Sequence, residues 1–163
     1  MEVTMSFPIT HEQSVYVDVA PDVVWQLAND IARYPQWVEA TLEILEVDSA
    51  AAPGVVYLER TRLAGPVTTR SRWTVAEFDE ERMFQRHIGE DLPGLRALWV
   101  EMRVVPDGRG ARFTLSFGLT VSIGPFSRLI GAGLGRTLVE GNTHNAERFA
   151  RLAEALAAGS AEQ

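Results

Sequence analysis

From Val15 to Val19 apolar and polar residues alternate, Val15, Val17 and Val19 against Tyr16 and Asp18, with the two-residue period of a half-buried strand. Pro21 stops that pattern and presets a helical φ, so a helix is expected from about Asp22. Val23, Val24 and Leu27 give it a short apolar face. Asn29-Asp30 ends the helix and offers a cap for a second one, which Tyr34-Pro35 is expected to close after a turn or two. Beyond Trp37 the pattern predicts strands at residues 41–47, 55–63, 67–78, 83–88, 95–105 and 111–123. Turn residues separate them, most clearly Ala64-Gly65-Pro66 and the hairpin signal Pro106-Asp107-Gly108-Arg109-Gly110. Gly124-Pro125 then opens a long helix over residues 126–157, and residues 159–163 are expected to fray.

The same alternation assigns faces. In the last strand Phe113, Leu115, Phe117, Leu119 and Val121 turn inward, and Arg112, Thr114, Ser116 and Thr120 outward. In 95–105 the uniformly apolar set Leu98, Val100, Met102 and Val104 is the better inward face, which leaves Trp99 outside, beside Trp73. Strand 67–78 stays open. One face carries Thr68, Arg70, Arg72, Thr74, Ala76 and Phe78, the other Thr69, Ser71, Trp73, Val75 and Glu77, and a one-residue shift exchanges them. On the terminal helix the stripe Ile130, Leu134, Leu138, Asn142, Asn145, Phe149, Leu152 and Leu156 faces the core. An amide buried without partners costs about 1–3 kcal/mol, so Asn142 and Asn145 need water, sheet groups or a ligand. Gly131, Gly133, Gly135 and Gly141 fall in the same half; they imply either close packing or room left for something else.

Composition narrows the chemistry. With 163 residues the chain is expected to form one domain over 1–163, with an ordered core of about 12–157. No stretch approaches the ~20 apolar residues of a membrane span. The start, MEVTMSFPITHEQ, has neither a basic segment nor an apolar core, so a cytoplasmic protein is expected. A net charge of −7 argues against nucleic acid or an anionic membrane as partner. The absence of cysteine excludes thiolate nucleophiles and thiolate metal sites. All 15 basic side chains are arginine, which excludes Schiff-base chemistry on a lysine. Arginine can hold an anion but does not serve as a base. His11, His87 and His144 show no metal-ligand spacing, and no cofactor is expected. His87 is of interest because its strand can aim it at a cavity mouth; the plainer reading is an exposed strand histidine. The GAGLG run at 131–135 lacks the βαβ context of a dinucleotide loop. Glu39, Glu59 and Asp91 are available as bases, and nothing in the pattern singles one out.

The segment 15–37, VYVDVAPDVVWQLANDIARYPQW, with its strand, two short helices and aromatic-proline-tryptophan end, resembles the amino-terminal signature of the START-like, or SRPBCC, superfamily. TVAEFDEERM and the closing strand-hairpin-strand resemble its polyketide cyclase/dehydrase-type branch in layout. The resemblance implies an α+β helix-grip fold. A curved antiparallel sheet of about seven strands would wrap on the long C-terminal helix, with two short helices after strand 1, around a cavity for a hydrophobic small molecule. It also implies that an inward arginine and nearby hydroxyls polarise ligand carbonyls. Arg70 or Arg72, with Thr74 and Tyr34, would then be catalytic. Trp37, Val100, Met102, Phe117, Leu138, Asn142 and Asn145 would line the ligand site. An empty hole of a few hundred Å³ would cost on the order of 7 kcal/mol at ~24 cal/mol per Å³, so the cavity should be partly polar or filled.

Three uses remain open. One is a carrier for an aromatic or polyketide-like ligand, and another a cyclase or aromatase steering aldol closure and dehydration. The third is a protein-interaction module presenting Trp73 and Trp99.

Overall fold

The computed structural model describes residues 5–161. One seven-stranded antiparallel sheet, ordered β1-β7-β6-β5-β4-β3-β2, curves around a single long helix. Its strands are β1 Phe7–Val17, β2 Thr41–Val47, β3 Val56–Ala64, β4 Val67–Asp79, β5 Phe84–Gly89, β6 Leu95–Asp107 and β7 Gly110–Val121. Two short helices, α1 Pro21–Asn29 and α2 Tyr34–Trp37, follow β1, and α3 Ser127–Ala161 closes the fold. This is the expected helix-grip arrangement. An antiparallel sheet with one apolar face must bury it, and α3 with the α1–α2 pair is what the chain has to cover it.

The elements differ from expectation at points with clear physical causes. β1 begins at Phe7, well before the apolar alternation, because its polar half still pairs residue by residue with β7 from Phe7↔Val121 to Val17↔Ala111. Tyr34-Pro35 opens α2 rather than closing the preceding turn, since proline fits the first turn of a helix, where no N–H partner is needed. Asp30 does not cap with its side chain; its carboxylate pairs with Arg33 at 3.1 Å. On α1 the buried residues are Val24, Trp25, Leu27 and Ala28, and Val23 is exposed. α3 reaches Ala161, beyond the expected end, and the last two of the residues expected to fray, 162 and 163, lie outside the described residues.

The core lies between the inner sheet face, α1–α2 and the C-terminal half of α3. Phe113 and Phe149 stack at 3.8 Å between ring centres, and Trp37 meets both edge-on. The α3 stripe holds in its middle only. Asn142 and Phe149 are buried, whereas Ile130 and Leu156 are exposed, and small residues (Gly131, Ala146, Ala150 and Ala153) take the closest contacts. Where α3 begins, a Cβ on Gly131 would collide with the Phe7 ring, so glycine there permits close packing rather than making room.

Candidate functional site

A cavity of about 360 Å³ lies between the inner sheet face, the N-terminal half of α3 and the α2–β2 connection. Trp37, Val100, Met102, Phe117, Leu138, Asn142 and Asn145, which the resemblance placed at a ligand site, line it, and so does Tyr34, which it placed among the catalytic residues. The inward residues of β6 and β7 follow the expected alternation. A larger open groove of about 790 Å³ lies at the far end of the sheet, around the β4–β5 turn. Its rim is formed by surface residues such as Glu81 and Arg82, and it holds no buried titratable group.

The catalytic set implied by the resemblance is not assembled. β4 pairs with β3 through Tyr57↔Trp73, Glu59↔Ser71 and Thr61↔Thr69, so Ser71, Trp73 and Val75 turn inward. Arg70, Arg72 and Thr74 therefore stand on the outer face, away from the cavity lining. Arg72 reaches Glu90 at 3.7 Å, and both side chains are largely exposed. A register shift between Val75 and Glu77 then restores Phe78 to the inside, against Trp25 at 5.3 Å. The two tryptophans also part. Trp73 is inside, while Trp99 is outside as expected, cross-strand from Gly118 and Ile88 and with the Arg86 guanidinium 5.2 Å from its ring centre. A Cβ on Gly118 would fall within the Trp99 indole, so glycine is what lets that ring lie flat.

What occupies the cavity's polar end is a carboxyl. Glu59 is 5% exposed and lines the cavity. Its Oε2 accepts from the Thr41 hydroxyl at 3.1 Å, and its Oε1 accepts from Trp73 Nε1 at 3.1 Å and lies 3.0 Å from the Thr61 hydroxyl. Burial pushes this carboxyl up to about 7, against the three hydrogen bonds, which favour the ionised form. Both protonation states are therefore available near neutral pH, the condition for a group that must take and return a proton. Among the lining residues the one cation is Arg62, exposed at the rim.

Behind the carboxyl runs a buried polar chain. The Tyr57 hydroxyl lies 2.7 Å from His87 Nδ1, and His87 Nε2 lies 2.7 Å from Gln85 Oε1. Gln85 Nε2 donates to Asn29 Oδ1 at 2.8 Å and to the Ala28 backbone carbonyl at 3.4 Å, and the carbonyl, which can only accept, fixes the amide and hence the tautomer. His87 must donate from Nε2, so Nδ1 accepts the tyrosine proton. Burial holds His87 down to about 4, so it is neutral at pH 7. His87 is thus neither exposed nor at the cavity mouth; it stands behind Tyr57. Burial likewise pushes the Tyr34 and Tyr57 hydroxyls up, keeping them protonated, and Tyr34 donates to the Ala28 carbonyl at 3.2 Å. On the helix wall Asn142 Nδ2 donates to the Leu115 carbonyl at 3.0 Å, and Asn145 Oδ1 accepts from the Glu39 backbone N–H at 2.9 Å. The two amides thus find sheet and loop partners. Among the described residues no cluster of metal-ligating side chains occurs, and no helix is long and apolar enough to cross a membrane.

With this geometry in place, comparison with known proteins identifies the group. The chain belongs to the family described as polyketide cyclase / dehydrase and lipid transport, whose model matches residues 8–157. The fold is similar to that of TTHA0849 from Thermus thermophilus (17% identity, TM-score 0.75, covering 92% of this chain and 99% of that one). It is also similar to the Zhui aromatase/cyclase from Streptomyces sp. R1128 (18%, 0.73, 91% and 94%). A third similar structure is truncated norcoclaurine synthase from Thalictrum flavum (12%, 0.67, 93% and 97%). No protein among the curated sequences matches significantly. At these identities the likeness concerns the fold.

Proposed function

We propose that the protein binds a compact, largely apolar ring compound of polyketide type in the cavity and that Glu59 exchanges a proton with it, as a cofactor-independent cyclase or dehydratase. The observation that carries this reading is the buried Glu59 carboxyl, held by Thr41, Thr61 and Trp73 and open to the cavity on its remaining side. The volume is near the lower end of the ~300–1,000 Å³ usual for small-molecule sites, which favours one or two fused rings over a long extended chain. In a dehydration, the carboxylate takes the proton α to a carbonyl. As the acid it then returns that proton to the departing hydroxyl. The C–H and C–O bonds break, a C=C bond forms, water leaves, and Glu59 ends as it began.

The test is conversion of a β-hydroxytetralone to α-naphthol, followed by naphthol fluorescence. Wild type should accelerate the reaction over buffer, and Glu59→Gln should lower the rate by about 100-fold or more, the usual worth of a positioned acid–base group. Equal rates for the two proteins would reject proton transfer by Glu59. The carrier reading draws on one observation, the outward arginines, which leave Arg62, exposed at the rim, as the one cation among the lining residues. Binding without Glu59-dependent turnover is the result that would select it.

A further inference from the structure

A count of hydrogen-bond donors and acceptors around the cavity says what kind of polar end a ligand must bring. On the sheet side the protons are already committed. Thr41 and Trp73 donate to Glu59, Thr61 lies within reach of both Glu59 and Ser71, and Tyr57 donates to His87. Tyr34 donates to the Ala28 carbonyl. Lone pairs remain: Glu59 Oε2, which takes one donor where Oε1 has two nearby, and the oxygen of Tyr57. Among the described residues the donors that remain are Asn145 Nδ2 on the helix wall and the Arg62 guanidinium, which is exposed at the rim, away from the buried end where Glu59 sits. Trp37 Nε1 also lacks a partner, but it is sealed within the aromatic packing.

Resting on the reading above, we propose that the ligand's polar end is a hydrogen-bond donor, a hydroxyl or ammonium on an aromatic or partly saturated ring, seated on the free lone pairs of Glu59 and Tyr57. Above about pH 7, where Glu59 is ionised, a bare ketone finds acceptors facing its own acceptor and leaves buried groups unpaired, which is the costlier mismatch. A hydroxyl completes the set. An ammonium additionally gives Glu59 a counter-ion.

Three probes of matched shape, β-naphthol, β-naphthylmethylammonium and β-acetonaphthone, test this by titration against the intrinsic tryptophan fluorescence of the intact protein. At a pH above about 7, where Glu59 is ionised, at least one donor probe should bind about tenfold or more tighter than the ketone, and Glu59→Gln should narrow that gap. The pH dependence separates the two donors. Affinity for the ammonium should rise as pH increases through about 7, where Glu59 ionises, with little such rise for the naphthol. A ketone that binds as well as both donor probes would overturn the inference while leaving the cavity a ligand site. Failure of all three to bind would instead overturn the underlying reading, and this inference with it.

Discussion

At the level of single residues, Glu59 is defined by two opposing effects, of which burial is the larger. Burial raises its pKa and three hydrogen bonds lower it, so each donor can be removed to see how the balance moves. Trp73→Phe keeps the ring in the cavity wall and deletes the indole N–H that reaches Oε1. The carboxyl should then titrate at a higher pH than in wild type, visible as an upward shift of the midpoint for β-naphthylmethylammonium binding. An unmoved midpoint would mean that the indole bond contributes nothing to the ionised form. Sequence reasoning met Glu59 as one of three acidic residues and had no ground for preferring it. The ground was present only in part. Tyr57, Glu59, Thr61 and Leu63 share one face of their strand, but whether that face turns inward depends on pairing with β4, and β4 was the strand of open phase. His87 was misplaced for a related reason. An isolated histidine in a strand is usually solvated, and its buried partners Tyr57 and Gln85 become neighbours only once the sheet forms.

Among the elements, β4 decides the site. Its two faces are nearly equal in polarity, so alternation could not choose between them. Packing chooses: Trp73 and Val75 have more apolar area to bury than Arg70 and Arg72 have charge to satisfy, and the guanidinia reach water at no cost on the outside. Arg70→Ala and Arg72→Ala should therefore leave probe binding and β-hydroxytetralone turnover unchanged. Stability should move by no more than about 0.5 kcal/mol, since the Arg72–Glu90 pair is exposed and surface pairs contribute little. A tenfold loss of turnover in either variant would return the arginines to the mechanism. The strands with strongly unequal faces, β6 and β7, were legible throughout, and so were the turns that bound them. The ends of the α3 stripe were not. A helical wheel finds the apolar direction but not which residue of each turn meets the sheet: Ser127 and Gly131 are the buried residues around Ile130, which is exposed, as is Leu156.

For the molecule as a whole, two buried groups with opposite displacements set how stability depends on pH. The folded state raises Glu59 from 4.5 to about 7, so its contribution is fully present below about 4.5 and is lost as pH rises through about 7. His87 is lowered from 6.5 to about 4; its contribution is present above about 6.5 and is lost as pH falls through about 4. Between those limits unfolding releases a proton from Glu59 and takes one up on His87, so the two slopes cancel. Wild type should accordingly be nearly insensitive to these groups from about pH 4.5 to 6.5, although each alone would change stability by on the order of 3 kcal/mol. Glu59→Gln removes one side of the balance. Urea denaturation of that variant should show stability climbing with pH across the window in which wild type stays flat. The variant-minus-wild-type difference should grow by on the order of 3 kcal/mol between about pH 4.5 and 7.5. A difference that stays constant with pH would mean that Glu59 titrates normally in the folded protein. The proton-transfer chemistry would then lose its physical basis, because a carboxyl that is fully ionised at neutral pH is a poor acid for a departing hydroxyl.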